Sequence, residues 1–91
     1  MLHEFRIAET ATFAGCIARP EFRRVYDKVR NVVYPQLKAN PFFGPNIKRL
    51  KGELSDTYRY RIGNYRMLYA IREGRLMVLV LTIAYRQGSY K

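Results

Sequence analysis

"YRYRIGNYRMLY" occupies residues 58–69, and its reading decides the fold. Before the Gly63-Asn64 step, tyrosine or isoleucine alternates strictly with arginine. A period of two places Tyr58, Tyr60 and Ile62 on one face of a strand and Arg59 and Arg61 on the other. Gly-Asn between two such runs is a two-residue hairpin turn. With that turn, Ile62 stands opposite Tyr65, Arg61 opposite Arg66, Tyr60 opposite Met67 and Arg59 opposite Leu68. Opposite residues share a face. Tyr58, Tyr60, Ile62, Tyr65, Met67 and Tyr69 therefore form an apolar wall suited to cover a helix. Arg59, Arg61 and Arg66 stand together on the other side with no acid beside them.

Working outward, Leu54 to Ile62 and Tyr65 to Arg72 are the paired strands. "EGR" (73–75) makes a second turn, and Leu76 to Tyr85 is the last strand. Its apolar run lacks alternation, as in a central strand covered on both faces. Arg86 shares the face of Arg61 only if the "EGR" turn takes up three residues, and that loop is expected because an arginine aimed at the helix would be buried unpaired. Before Asn40 the pattern is helical. A short strand is expected at His3 to Ile7, followed by a helix capped by Thr10 or Thr12 and running to Ile17. Pro20-Glu21 starts a second helix whose stripe is Phe22, Val25, Tyr26, Val29, Val33 and Leu37. Pro35 should kink or end it. "NPFFGPN" (40–46) is a loop.

Composition bounds the function. The chain of 91 residues makes one small domain, 1–91, and is 48% hydrophobic, which suits a folded chain. Seventeen Lys and Arg against seven Asp and Glu leave a net charge of +10. A domain this basic implies an acidic partner: nucleic acid, an anionic membrane or an acidic protein. The single cysteine, Cys16, excludes an intrachain disulfide, reads as a small core residue in "FAGCIA" and fits a reducing, intracellular compartment. The N-terminus does not read as a signal peptide, and "LMVLVLTIA" (76–84) is too short for a spanning helix. His3 is the only histidine. No Cys/His cluster offers a metal site and no glycine-rich phosphate loop follows a strand, so neither metal nor cofactor is expected. Glu53 and Asp56 fit a solvated loop better than a catalytic pair. Any enzyme here works with Arg, Lys and Tyr.

The arginine face carries the functional reading. Directly opposed like charges repel. A polyanion would relieve them, and arginine is shaped for two-toothed contact with phosphate. The competing reading is a solvated face that discourages aggregation. The tyrosines face the helix and are core rather than a base-stacking platform.

"KRLKGELSDTYRYRIGNYRMLYAI", a long apolar strand and "YRQGSY" together resemble the RelE/ParE superfamily of bacterial toxins, over about the last fifty residues. The resemblance implies an α+β fold, a small antiparallel β-sheet packed on two N-terminal helices. It also implies a cytoplasmic, ribosome-dependent endoribonuclease that cuts messenger RNA in the ribosomal A site, held inactive in a hetero-oligomer with a cognate antitoxin. Carried over by motif, Arg61, Arg66, Arg86 and Tyr90 are the expected catalytic residues. Lys48, Lys51 and Arg59 are the expected RNA-binding residues. Some RelE relatives carry lysines where this chain has Arg59 and Arg61. Arginine stays protonated, so it is a poor general base. ParE-type relatives share the fold and inhibit DNA gyrase without cutting RNA, and an inert RNA- or antitoxin-binding domain is a third reading.

Overall fold

The computed structural model describes residues 4–52 and 56–85. β1 (Arg6–Glu9) leads into α1 (Ala11–Ile17). A 3-10 turn, Pro20–Phe22, opens the second helix, which runs as α2 (Arg23–Lys28), a π turn (Val29–Val33) and α3 (Tyr34–Ala39). β2 (Ile47–Arg49), β3 (Thr57–Ile62), β4 (Tyr65–Arg72), a 3-10 turn (Glu73–Arg75) and β5 (Met77–Tyr85) complete it. The sheet order is β1-β5-β4-β3-β2. Two N-terminal helices on a small sheet are as expected. The sheet is mixed rather than wholly antiparallel, because β1 joins the edge of β5 in parallel.

The hairpin register is the expected one at every position from Thr57↔Ala70 to Ile62↔Tyr65. Gly63 takes φ +56 and Asn64 stays out of the left-handed region. Glycine at the first central position gives the II′ turn that matches strand twist. Tyr58, Tyr60, Ile62, Met67 and Tyr69 are buried with Phe22, Val25, Val29, Val33 and Leu37 in one core. The wall uses tyrosine rather than phenylalanine because three of its hydroxyls find partners in the second helix and the loop that follows it. Tyr60 donates to Gln36 Oε1 at 2.6 Å, Tyr69 to the Pro41 carbonyl at 2.8 Å and Tyr65 to the Glu21 carbonyl at 3.1 Å.

The second helix passes Pro35 without ending. Proline cannot donate to the carbonyl four residues back, and its ring crowds that carbonyl. The π turn just upstream takes the backbone out of α register, with the Tyr34 N–H bonded to the Val29 carbonyl. Glu9 then accepts from Tyr26 Oη at 2.9 Å and Tyr34 Oη at 2.8 Å, which ties the helix to β1.

The last strand departs from expectation in an instructive way. The loop before β5 holds four residues, Glu73 to Leu76, since Arg72 pairs with Met77. Leu76 closes it in the left-handed conformation at φ 49. Four residues alone would invert the strand's faces relative to a three-residue loop. A bulge restores them: Leu68 pairs with Thr82 and Tyr69 with Val80, leaving Leu81 as the surplus residue. Thr10 secures the bulge. Its Oγ1 accepts the Phe13 N–H at 3.1 Å as helix cap and donates to the Leu81 carbonyl at 2.9 Å.

Candidate RNA-facing site on the open sheet

Three strands and one bulge assemble a basic row on the face away from the second helix. Arg61 stands opposite Arg66, and Ala84 on β5 lies on the far side of Arg66. The Arg61 N–H points away from β4, to the Asn46 carbonyl at 2.9 Å. Arg61 and Arg66 are therefore a non-hydrogen-bonded pair, the kind whose Cα atoms approach to about 4.5 Å. Both side chains are exposed. Ala84 has only a methyl group, so the space beside Arg66 is open.

The next row holds Lys48, Arg59, Leu68 and Thr82, in register across β2 to β5. Lys48 is thus a strand residue facing Arg59. A three-residue strand is too short to show its alternation in sequence. Arg59 is less exposed than Arg61 and Arg66. It is half-buried, and its Nε is enclosed with no hydrogen-bond partner among the described residues. Such a donor costs free energy until something accepts from it. Lys51 lies past the end of β2, exposed and outside both rows. Arg86 and Tyr90, the other two expected catalytic residues, lie outside the described residues.

No carboxylate neutralises this face among the described residues. The ion pairs seen among the described residues, on any face, are Arg19–Glu21, Arg30–Asp27 and Arg72–Asp56, and none includes Lys48, Arg59, Arg61 or Arg66. Asp56 bonds Arg72 Nη1 at 3.4 Å as an exposed surface pair. Sequence reading passed over Thr82 and Ala84, because their place beside the arginines depends on the bulge. Cys16 Sγ lies 3.8 Å from Thr82 Oγ1, at the α1 edge of the same rows. Among the described residues no group of three or more His, Cys, Asp or Glu could hold a metal ion. The rows offer charge and hydrogen-bond donors. They can hold a phosphate and stabilise negative charge developing on it; they contain no group suited to accept a proton at neutral pH.

Comparison with known proteins agrees with this architecture. A relative from Mycobacterium tuberculosis named toxin RelE is 34% identical over 91 residues, covering 98% of this chain and 89% of its own. A relative from Methanocaldococcus jannaschii bearing the RelE1 toxin name is 39% identical over 57 residues, which span 60% of this chain and 62% of that protein. Among solved structures, the toxin–antitoxin complex RelBE2 from M. tuberculosis contains a chain that superposes with TM-score 0.77 at 25% identity, covering 94% of this chain and 95% of that one. No described helix is long and apolar enough to cross a membrane. A family model described as the ParE toxin of type II toxin–antitoxin systems matches residues 18–90, and the chain belongs to that toxin family.

Proposed function

We propose that this toxin is a cytoplasmic, ribosome-dependent endoribonuclease that cuts messenger RNA in the ribosomal A site and so inhibits translation. The observation that carries the reading is the Arg61–Arg66 pair, directly opposed, exposed and without a carboxylate partner among the described residues. A fold that keeps this repulsion gains from a phosphate placed between the two guanidinium groups.

The reaction fits the residues. The RNA's own 2′-OH attacks the adjacent phosphorus, forming a 2′,3′-cyclic phosphate and releasing the 5′-oxygen of the next nucleotide. The hydroxyl must lose a proton, the phosphorane charge must be stabilised and the leaving oxygen must gain a proton. Arg61 and Arg66 stabilise the phosphorane, and Arg86 adds a third donor. Tyr90 stacks on a base or passes a proton. Lys48, Lys51 and Arg59 hold the RNA backbone. With arginines in these positions, alignment of the 2′-OH by the ribosome supplies much of the rate. The resting state is a complex with a cognate antitoxin whose acidic, partly apolar segment covers the arginine rows. The +10 charge and the antitoxin-bound state of the RelBE2 toxin both support that partner.

The second reading is the one implied by the resemblance to ParE-type toxins, inhibition of DNA gyrase without nuclease activity, and the matching family model bears the ParE name. Primer extension on messenger RNA after brief induction, alongside a gyrase supercoiling assay, separates the two. Codon-phased cleavage with unimpaired supercoiling supports the proposal. Intact messenger RNA with blocked supercoiling overturns it.

A further inference from the structure

The cations of the second helix are unevenly used. Arg19 bonds Glu21 at 2.8 Å, and Arg30 bonds Asp27 at 2.8 Å while lying 4.9 Å from the Tyr26 ring centroid. Glu21 and Asp27 are the only acids between Pro20 and Asn40. Arg23, Arg24, Lys28 and Lys38 are left with no ion pair among the described residues, and two of them, Arg24 and Lys28, stand in line. Four residues apart, they share one helix face, where like charges disfavour the helix. That face overhangs the hairpin tip. Arg24 and Lys28, with Val25, Ile62, Asn64 and Tyr65, line an open groove of about 350 Å³.

We propose that this groove binds the phosphate backbone of RNA, as a second contact separate from the arginine rows; the assignment to ribosomal RNA rests on the function proposed above. The two cations are about 6 Å apart along the helix axis, a spacing suited to neighbouring phosphates on one strand. Val25, Ile62 and Tyr65 give an apolar floor for ribose carbons. The Asn64 amide offers a donor and an acceptor for a 2′-OH or a base edge. The groove sits on the helix side of the hairpin and Arg61 and Arg66 on the other, one residue pair from the same turn. The tip is thus cationic on both faces, which fits insertion between two RNA elements rather than docking on one.

The test compares full-length wild-type protein with the Arg24→Ala/Lys28→Ala variant. A second variant, Lys38→Ala/Arg75→Ala, removes the same charge from sites outside the groove. Probes are a 30-nucleotide RNA stem-loop and purified 70S ribosomes, titrated across potassium chloride concentrations. Loss of two phosphate contacts lowers the slope of log affinity against log salt by about 1.4 to 1.8, or roughly 15- to 30-fold in affinity at 0.15 M salt. The expected result is that loss in the groove variant, a much smaller one in the control, and unchanged assembly with the cognate antitoxin. Groove-dependent binding to the stem-loop without ribosome binding sustains the groove and sinks the ribosomal reading. Equal losses in both variants overturn the groove, as does loss of antitoxin binding with the RNA slope intact. A wild-type protein that binds neither probe overturns both proposals.

Discussion

Replacing Arg66 by glutamine should weaken the toxin and strengthen the fold. Arg66 and Arg61 oppose each other as a close pair, with guanidinium centres about 7 Å apart once the exposed side chains diverge. In water two unit charges at that distance repel by about 0.6 kcal/mol. Screening at 0.15 M salt reduces this to about 0.25 kcal/mol. A chain of 91 residues unfolds with an entropy of about 0.19 kcal/mol/K. Arg66→Gln should therefore raise Tm by about 3 °C at low salt and about 1 °C at 0.15 M. Messenger RNA cleavage on programmed ribosomes should fall about 100- to 1,000-fold, the usual cost of losing one preorganised donor. Calorimetry at two salt concentrations reads the first effect and primer extension the second. Arg75→Gln is the control, since Arg75 lies exposed in the β4–β5 loop and has no opposed cation among the described residues. A lower Tm in Arg66→Gln, a gain that does not depend on salt, or an equal gain in Arg75→Gln would refute the repulsion between Arg61 and Arg66.

Arg61→Lys should keep the fold and lose cleavage clearly if Arg61 holds phosphate with two donors, while near-normal rates on programmed ribosomes would show that charge alone suffices. Arg86→Ala should abolish most cleavage, and wild-type rates in an Arg66→Ala/Arg86→Ala variant would overturn the proposed centre. Thr10→Val removes both the helix cap and the bond to the bulge, so urea unfolding should show a loss of about 1–2 kcal/mol; a loss below 0.3 kcal/mol, on the order of measurement error, would refute that role. Burial pushes the Tyr69 phenol, and burial with the Glu9 hydrogen bond the Tyr34 phenol, well above the ordinary value of 10.0. The folded state holds these protons more tightly, so stability is complete below pH 10 and falls above it, by up to about 1.4 kcal/mol per pH unit per phenol. Urea midpoints between pH 9 and 11.5 should fall less steeply in Tyr69→Phe, and an unchanged slope would contradict the assignment.

What was legible in the sequence was what local pattern controls. Strict alternation before Gly63-Asn64, with the two-residue turn, set the hairpin register residue by residue, because a slip of one would bury arginines. The stripe from Phe22 to Leu37 was equally plain. Long-range terms were not. That β1 joins β5 in parallel depends on the crossover through both helices, and β2 is too short to carry a period. The length of the β4–β5 loop was not legible, because parity along β5 has two contributions, the loop and the bulge at Leu81, and the bulge carries no local signal. Arg59's enclosed Nε likewise depends on neighbours across three strands. The Arg61–Arg66 pair, made by the hairpin alone, was the part of the site the sequence could supply; Thr82 and Ala84 were not.

The π turn has an arithmetic consequence for the length of the second helix. The buried stripe reads 22, 25, 29, 33, 37, with Tyr34 beside it, and its three consecutive steps of four run ahead of the 3.6-residue period. One residue in the Val29–Val33 turn is supernumerary: subtracting it turns the later positions into 32 and 36, and the stripe becomes a regular three-four repeat. Val32, half exposed at 50%, is the natural residue to subtract. Its deletion alone would return the backbone to α register directly in front of Pro35, at a cost of about 3 kcal/mol. Deletion together with Pro35→Ala would leave an uninterrupted helix with Tyr34 and Leu37 still facing inward. The surplus residue and the proline thus form a single unit of change, and a sequence of this fold that lacks one is expected to lack the other.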